Sequence, residues 1–125
     1  KKYCKTIYRT LPISINILIY HTMKIIHYIP TIDRNWGGTT AYMQLLSNEL
    51  GKLTELHIFT HSSDNPVEIQ NCQIHNLATI RHLTEFKRQF KFLIKDIQPN
   101  VFHVNGCWTP GCALTQKWLR KWISK

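Results

Sequence analysis

Short apolar segments alternate with segments of helical periodicity along most of this chain, and that alternation limits the possible folds more than any other feature. Four segments have the β-branched and aromatic composition of strands and are bounded by Pro, Asn, Asp or Gly. They are KIIHYI (24–29), TELHIFT (54–60), CQIHNL (72–77) and NVFHVN (100–105). Strands alternating with helices predict an α/β fold with an open, mainly parallel sheet, right-handed crossovers and flanking helices.

Three segments repeat apolar residues at the spacing of one helix face. The first stripe is Tyr42, Leu45, Leu46 and Leu50; the second is Leu83, Phe86, Phe90, Leu93, Ile94 and Ile97; the third is Leu114, Trp118, Leu119, Trp122 and Ile123. Gly51 is predicted to end the first helix, Pro99 follows the second, and Pro110 opens the third.

Length and charge set further limits. With 125 residues the chain is long enough for one domain with a substantial core. Its 16 Lys and Arg against 7 Asp and Glu give a net charge of +9 with His neutral. Such a surface favours anionic partners: nucleic acid, lipid headgroups or phosphorylated ligands. The charge by itself does not distinguish among them.

The cysteines and histidines do not form a metal-binding motif. The four cysteines are Cys4, Cys72, Cys107 and Cys112. No CxxC pair occurs among them, so we interpret them as reduced thiols of a cytoplasmic protein. His57 and His61 are four residues apart in a strand-like segment that lacks the glutamate of HExxH. We therefore expect no metal site.

Residues 1–22 have a basic start followed by an apolar stretch that Pro12, Ser14 and Asn16 interrupt. No small-residue cleavage site follows, and the stretch is too short and too polar to span a bilayer. Because a cleaner pattern begins at Met23, two interpretations stand. The segment is either an upstream extension of the reading frame outside the fold, or an N-terminal arm that associates with a membrane. The folded domain is predicted over residues 23–125.

The segment MKIIHYIPTIDRNWGGTTAYMQLLSNEL (23–50) runs from a strand through a loop into a helix. In parallel α/β folds ligands bind beyond the carboxyl ends of the strands, where helix N-termini favour anions. Gly37 and Gly38 allow a ligand to approach the backbone, or a positive φ, and Thr39 or Thr40 can cap the helix. The loop is a candidate site for a phosphate-bearing or sugar-like ligand. It matches neither the P-loop nor GxGxxG, and a tight turn alone also explains the glycine pair.

A second strand, turn and helix, DIQPNVFHVNGCWTPGCAL (96–114), has the same organisation. Alternation places His103 and Asn105 on the same side of the strand, with Asn105 closer to the edge where ligands bind. An Asn side chain can exchange hydrogen bonds with hydroxyl groups, and Trp108 offers an apolar plate. His103 is interpreted as a core histidine with satisfied hydrogen bonds.

Together, the two units resemble the N-terminal domain of GT-B glycosyltransferases of family 4, retaining enzymes that use nucleotide sugars. The resemblance covers residues 23–125, with a first strand like MKIIHYIP, a glycine loop like WGGTTAYMQLLSNEL, and a later strand and turn like PNVFHVNGCWTP. Family members usually carry a second His where this chain has Asn105. That difference excludes imidazole acid–base chemistry at the position but preserves hydrogen bonding to a sugar hydroxyl.

The resemblance implies the Rossmann-like, acceptor-side half of a GT-B enzyme of hexosyltransferase type. The Gly37–Gly38 loop would lie near the donor diphosphate and the acceptor, with Asn105 near the reacting sugar. Thr39 and Trp108 are further substrate-binding candidates because of their own side chains. The nucleotide sugar would be a substrate, and no metal or other cofactor is implied. Family members bind most of the donor with a second, C-terminal domain that these 125 residues do not include. We therefore expect a truncated transferase that is inactive alone.

Family members commonly act on glycan or lipid-linked acceptors at the inner face of a membrane, so the basic helices suggest a cytoplasmic protein with peripheral attachment to anionic lipid. A simpler interpretation packs the helix aromatics on the chain's own core and solvates the lysines. Two other functions stay open: a flavodoxin-like α/β domain that binds a phosphate ligand, and a nucleic-acid-binding module. The latter is less favoured, because it lacks a recognised motif and the basic residues are dispersed.

Overall fold

The computed structural model describes residues 23–106 and 108–123. In that part of the chain the strands are β1 (Lys24–Tyr28), β2 (Glu55–His61), β3 (Gln73–Leu77) and β4 (Val101–Val104). The helices are α1 (Gly38–Leu53), α2 (Leu83–Ile97) and α3 (Pro110–Ile123), with 3₁₀ turns at Arg34–Trp36 and Ile80–His82. Each predicted strand is present within one residue at either end, which confirms the α/β class. The interpretations of residues 1–22 lie outside the described residues.

The strands form one open sheet in the order β3-β2-β1-β4, and every neighbouring pair is parallel. The strand β1 is central, since Tyr28 is in register with Phe59 of β2 and with Val104 of β4. The chain passes from β1 to β2 on one side, whereas β4 lies on the other side. The winding therefore reverses between β1 and β4, and in open α/β sheets ligands bind at the carboxyl end of such a reversal.

An aromatic core covers one face of the sheet beneath α2 and α3. It includes Tyr28, Phe59, Phe86, Phe90 and Trp118, all of which are buried. The rings pack edge to face, with centroids 5.1 Å apart for Phe86 and Trp118 and 5.8 Å apart for Phe59 and Phe90. Burial of each large apolar side chain stabilises the fold by about 1.5–3 kcal/mol. Phe86, Phe90 and Trp118 therefore pack on the chain's own core, as the simpler interpretation of these helices predicted, whereas Phe92 is exposed.

A smaller cluster on the opposite face joins β1 and β2 to α1 and to the loop between β2 and β3. Its buried members are Ile29, Ile32, Met43, Ile58, Val67 and Ile69. Because α1 packs on β2, it leaves this face of the edge strand β4 open to solvent. Val101, in register with Ile25, is accordingly 45% exposed.

The buried side of α1 differs from the predicted one. Tyr42 and Leu45, two residues of the predicted stripe, are 47% and 71% exposed. The helix instead buries Thr40, Met43 and Ser47, a set with similar helical spacing on a neighbouring side. Ser47 Oγ donates to the carbonyl of Met43 at 2.7 Å, so a small residue with a satisfied hydroxyl can face the sheet. Apolar periodicity alone does not reveal such a polar but buried side.

The prediction that Gly51 ends α1 is wrong, because the helix continues to Leu53. A Cβ at Gly51 would collide with the backbone carbonyl of Asn71, in the loop before β3. The glycine is needed for close packing between that loop and the helix. The helix stops at Thr54, whose backbone N–H and hydroxyl both donate to the carbonyl of Leu50, at 3.0 and 2.9 Å.

The other predicted helix limits are confirmed. Gln98 follows α2 in the left-handed conformation with a φ of 53°, and its N–H donates to the carbonyl of Ile94 at 3.0 Å. Pro99 comes next and cannot continue the helix, while Pro110 is the first residue of α3. Of the helices in residues 23–106 and 108–123, none combines the length and apolar character needed to cross a bilayer.

Candidate functional site

A pocket of about 270 Å³ lies at the carboxyl edge of the sheet, where the chain leaves β1 and β4. Its wall comes from the residues after β1, the approach to α1 and the loop between β4 and α3. The lining residues are Ile29, Pro30, Thr31, Trp36, Thr39, Asn105, Gly106, Trp108, Thr109 and Cys112. The two segments singled out in the sequence therefore meet in one place, because parallel strands bring their carboxyl ends to the same edge.

Three of the predicted site residues, Thr39, Asn105 and Trp108, line this pocket. Gly37 and Gly38 are not lining residues, but they form the connection between two that are. The sequence thus identified both segments, but only three of the ten residues that line the pocket.

Sequence reasoning missed several residues that the fold brings to the pocket. Trp36 directly precedes the glycine pair and is 59% exposed, so its position next to the loop was a usable signal. Thr31, Thr109 and Cys112 also line the pocket; they lie within the two segments singled out in the sequence, but no local pattern distinguishes them there. Only the folded arrangement of the loops identifies those three.

The glycine pair has two different conformational roles. Gly37 has a φ of 62° and a ψ of −124°, which side chains of L-residues rarely tolerate. Gly38 begins α1, and a Cβ on it would have no atom within 4 Å. The N–H of Ala41 donates to the carbonyl of Gly37 at 3.2 Å, so the N–H groups of residues 38–40 precede the first hydrogen bond of the helix. Such an open helix N-terminus suits an anion or another acceptor.

The prediction that Thr39 or Thr40 caps α1 is wrong. The N-cap residue is Gly37, and no side chain makes a capping hydrogen bond. The helix begins earlier than a threonine cap would require, because glycine at the N-cap allows the turn. The buried Thr40 hydroxyl donates instead to the carbonyl of Asp33 at 3.2 Å. Thr39 is exposed, which leaves its hydroxyl at the pocket.

The carboxylate of Asp33 holds the loop before the glycine pair. It accepts hydrogen bonds from the hydroxyl of Ser63 at 2.7 Å and from the backbone N–H of Asn35 at 2.8 Å. These bonds, that of Ser63 first, lower the pKa of Asp33 below its usual value. The hydrogen bond from Ser63 therefore joins the loop to the segment after β2.

The buried amide of Asn105 ties the end of β4 to β1. Its Nδ2 lies 3.3 Å from the carbonyl oxygen of Tyr28 and 3.1 Å from Nδ1 of His27. A carbonyl oxygen can only accept, so this contact sets the orientation of the amide and makes Nδ2 the donor. The other amide atom, Oδ1, has no hydrogen-bond partner among the described residues. Asn105 lines the pocket, and Oδ1 is the atom of its amide that can accept a hydrogen bond there.

His27 is a neutral acceptor at physiological pH. Its side chain is 4% exposed, and burial, followed by the nearby charge of His103, lowers its pKa from 6.5 to about 4. Because Asn105 donates to Nδ1, the proton of the neutral ring is on Nε2. His27 thus fixes the amide of Asn105 from the interior of the domain.

The interpretation of His103 as a core histidine is wrong. The residue is exposed, because the face of β4 on which it lies is not covered by α1. Its Nδ1 is 3.2 Å from Nδ1 of His27, and the two rings meet edge to face with centroids 4.9 Å apart. The exposed His103 therefore contacts the buried His27, which in turn contacts Asn105.

A second series of hydrogen bonds lies beneath the start of α3. His61 donates from Nδ1 to the carbonyl of Leu77 at 3.1 Å, so its Nε2 accepts from the hydroxyl of Tyr28 at 2.7 Å. Burial raises the pKa of the Tyr28 hydroxyl above its ordinary value, so the hydroxyl stays protonated. A Cβ on Gly111 would collide with this hydroxyl. Glycine in the first turn of α3 therefore lets the helix begin against the sheet.

The cavity between β3 and α2 is formed differently from this pocket. A larger, open depression of about 540 Å³ lies between β3 and α2. Its lining residues are Ile74, His75, Asn76, Leu77, Arg88, Gln89, Phe92 and Leu93. They come from two neighbouring elements, without a meeting of loops at strand ends. In the described ranges, no three or more His, Cys, Asp or Glu residues are grouped in a way that could hold a metal ion.

Comparisons with protein-family models, with curated proteins and with solved structures find no match to this chain. The chemistry of the pocket therefore rests on its own residues.

Replacement of the two glycines by alanine is expected to have opposite effects. Gly37→Ala forces a side chain into a positive-φ conformation and should lower the free energy of unfolding by about 1–3 kcal/mol. Gly38→Ala adds a methyl group to open space in a helical position and should leave stability unchanged, or raise it by up to about 1 kcal/mol. Urea denaturation followed by circular dichroism measures both. Equal effects of the two substitutions would contradict the assigned conformations.

The stability of the protein should fall as the pH drops from about 6.5 to about 4. In this range the unfolded chain protonates His27 and the folded chain does not, which costs up to about 1.4 kcal/mol per pH unit. His27→Gln should flatten part of this slope, and the exposed His82→Gln serves as the control. A residual slope from His75, whose pKa burial also lowers, should remain. Identical slopes in all three proteins would show that His27 is not buried in its neutral form.

Proposed function

We propose that this chain is the acceptor-side domain of a family 4 type GT-B glycosyltransferase, which transfers a hexose from a nucleotide sugar to a glycan or lipid-linked acceptor. One observation carries the proposal: the glycine loop and the loop after β4, far apart in the sequence, line a single pocket at the carboxyl edge of the sheet. This is the place where open α/β domains bind ligands, and both loops are those that resemble the family.

The residues of the pocket have complementary roles in this proposal. The start of α1 offers backbone N–H groups to the donor diphosphate, and the bare Gly38 lets the phosphates approach the helix. The Oδ1 of Asn105 accepts a hydrogen bond from a sugar hydroxyl. Trp108, which is 91% exposed, provides a plate for the apolar face of a sugar ring. Binding and orientation of the substrates are therefore the contribution of this domain.

Acid–base chemistry is not part of the proposed contribution. His27 is buried as a neutral ring whose Nδ1 already accepts from Asn105. Stabilisation of the leaving diphosphate requires cations or many donors, and no Lys or Arg lines the pocket. In the proposal these groups belong to a C-terminal GT-B domain, as the family resemblance implies.

A phosphate-binding α/β domain of the flavodoxin-like type is the second candidate. The observation in its favour is that both α1 and α3 begin at the pocket, so two helix N-termini face the same space. The uncharged wall makes this candidate weaker, because small phosphate ligands usually require cationic side chains in addition. The nucleic-acid-binding alternative has no corresponding surface feature at the pocket.

Peripheral attachment to an anionic membrane remains part of the proposal. Phe92 on α2 is 65% exposed, and the exposed Lys91 and Lys95 lie beside it on the helix surface. An exposed aromatic ring among basic side chains suits the headgroup region of a bilayer. The arrangement would place the acceptor site near a lipid-linked substrate.

The proposal predicts that the 125 residues alone release no nucleotide from a panel of nucleotide sugars, whereas the chain joined to a GT-B C-terminal domain does so. In the joined protein Gly38→Ala should lower kcat/KM at least about tenfold, because the added methyl group blocks the approach of the ligand without loss of folding. Asn48→Ala, at an exposed position of the same helix, is the matched control.

Coupled detection of the released nucleotide measures turnover in each protein. Robust turnover by the isolated chain, or a Gly38→Ala enzyme as active as its Asn48→Ala control, would contradict the proposal. Binding of inorganic phosphate or flavin phosphate at the pocket, with no response to any nucleotide sugar, would favour the second candidate instead.

A further inference from the structure

Two exposed tryptophans line the same pocket. Trp36 is 59% exposed and Trp108 is 91% exposed, although indole rings in folded proteins are mostly covered. The chain's two other tryptophans, Trp118 and Trp122, belong to the aromatic core beneath α2 and α3. The exposure of Trp36 and Trp108 is therefore particular to this pocket, since the other two tryptophans pack in the core. Two exposed aromatic rings at one cavity indicate a ligand site.

The pocket wall is uncharged. None of its lining residues is Lys, Arg, Asp, Glu or His. Oδ1 of Asn105 is an acceptor without a partner among the described residues. The hydroxyl of Thr31 accepts from the N–H of Asp33 at 3.1 Å, which leaves its own hydrogen to donate, and Thr39 offers a further hydroxyl. A ligand that carries both donors and acceptors satisfies this set.

A phosphate group fits the wall poorly. At physiological pH it brings mainly acceptor oxygens and negative charge, and it would meet the acceptor Oδ1 of Asn105 where it needs a donor. The amide cannot rotate to offer Nδ2 without losing the hydrogen bonds to Tyr28 and His27. Hydroxyl groups, in contrast, can donate to Oδ1 directly.

The size of the pocket limits the ligand further. Its volume of about 270 Å³ is below the roughly 300 Å³ at which pockets for drug-sized molecules begin. The space suits one saturated ring with its substituents. A pyranose has an apolar face of C–H groups for an indole ring and hydroxyl groups around its edge.

We infer that this pocket binds an uncharged pyranose ring, stacked on Trp36 or Trp108 and hydrogen-bonded to Oδ1 of Asn105 and the hydroxyl of Thr39. The inference rests on the proposed function and assigns the pocket to the neutral acceptor sugar. The donor phosphates then lie at the Gly37–Gly38 connection, which is outside the lining. Trp36 becomes a specificity residue, a role that the sequence alone did not assign to it.

Saturation-transfer NMR on the 125-residue protein tests this assignment. The neutral probes are methyl glycosides of common hexoses, and the comparison probes are glucose 6-phosphate, inorganic phosphate and uridine. Transfer is expected to the ring C–H protons of at least one neutral glycoside. Of Trp36→Ala and Trp108→Ala, the variant that removes the stacked ring should weaken that binding about tenfold, since an aromatic contact is lost.

Two sets of variants separate binding from folding. Trp36→Phe and Trp108→Phe keep an aromatic plate and should retain most of the affinity. Tyr42→Ala removes an exposed ring on α1 that does not line the pocket, and should bind like the parent protein. Because both tryptophans are exposed, the alanine variants should unfold at the parental temperature.

The outcomes separate this inference from the proposed function. Binding confined to the phosphate-bearing probes or to uridine, no binding of any probe, or glycoside binding unchanged by both tryptophan substitutions would overturn the inference. Each of those results leaves the nucleotide-sugar turnover test unaffected. Tryptophan-dependent glycoside binding supports the inference even if the joined protein shows no turnover, in which case only the transferase proposal fails.

Discussion

The hydrogen bonds between Asn105 and the end of β1 are the contacts on which the pocket depends. The backbone N–H of Asn105 donates to the carbonyl of Tyr28 at 2.8 Å, and its side-chain Nδ2 lies 3.3 Å from the same oxygen. They extend the pairing of β1 and β4 beyond the last paired residues, Tyr28 and Val104. The chain can then turn at Gly106 and deliver Trp108 and α3 to the mouth of the pocket. Without this junction the two loops would have no fixed separation.

A buried, uncharged histidine sets the chemistry of that junction. Burial keeps His27 neutral by lowering its pKa to about 4, so its Nδ1 accepts from the amide of Asn105. The amide then has a fixed orientation, and Oδ1, which has no partner within residues 23–106 and 108–123, is an acceptor. The ligand preference of the pocket thus follows from the desolvation of one ring behind it. It also follows that protonation of His27 would disturb both stability and the pocket.

The sequence predicted the architecture well because the strands carry strong local signals. All four strands, the limits set by Pro99 and Pro110, and the convergence of the two loops could be read from composition, alternation and turn residues. The errors lie where tertiary contacts decide. Glycine is common at helix ends, but Gly51 lies inside α1, where it allows close packing against Asn71, a residue distant in sequence.

The same limit applies to the site. Thr39, Asn105 and Trp108 were predicted from strand and helix signals, but the orientation of the Asn105 amide depends on contacts with β1 that no local pattern encodes. The exposure of His103 depends on α1 packing over β2 and leaving β4 open. The sequence therefore predicted which residues lie at the site, but not which groups their side chains contact.

The most direct test of this account is a titration of the isotope-labelled protein with a nucleotide sugar and a neutral methyl glycoside, followed by backbone amide NMR. The account predicts that amides in residues 36–39 and 105–109 shift together and saturate at the same ligand concentration, since both loops form one pocket. Shifts confined to one loop, or centred on the depression between β3 and α2, would contradict it.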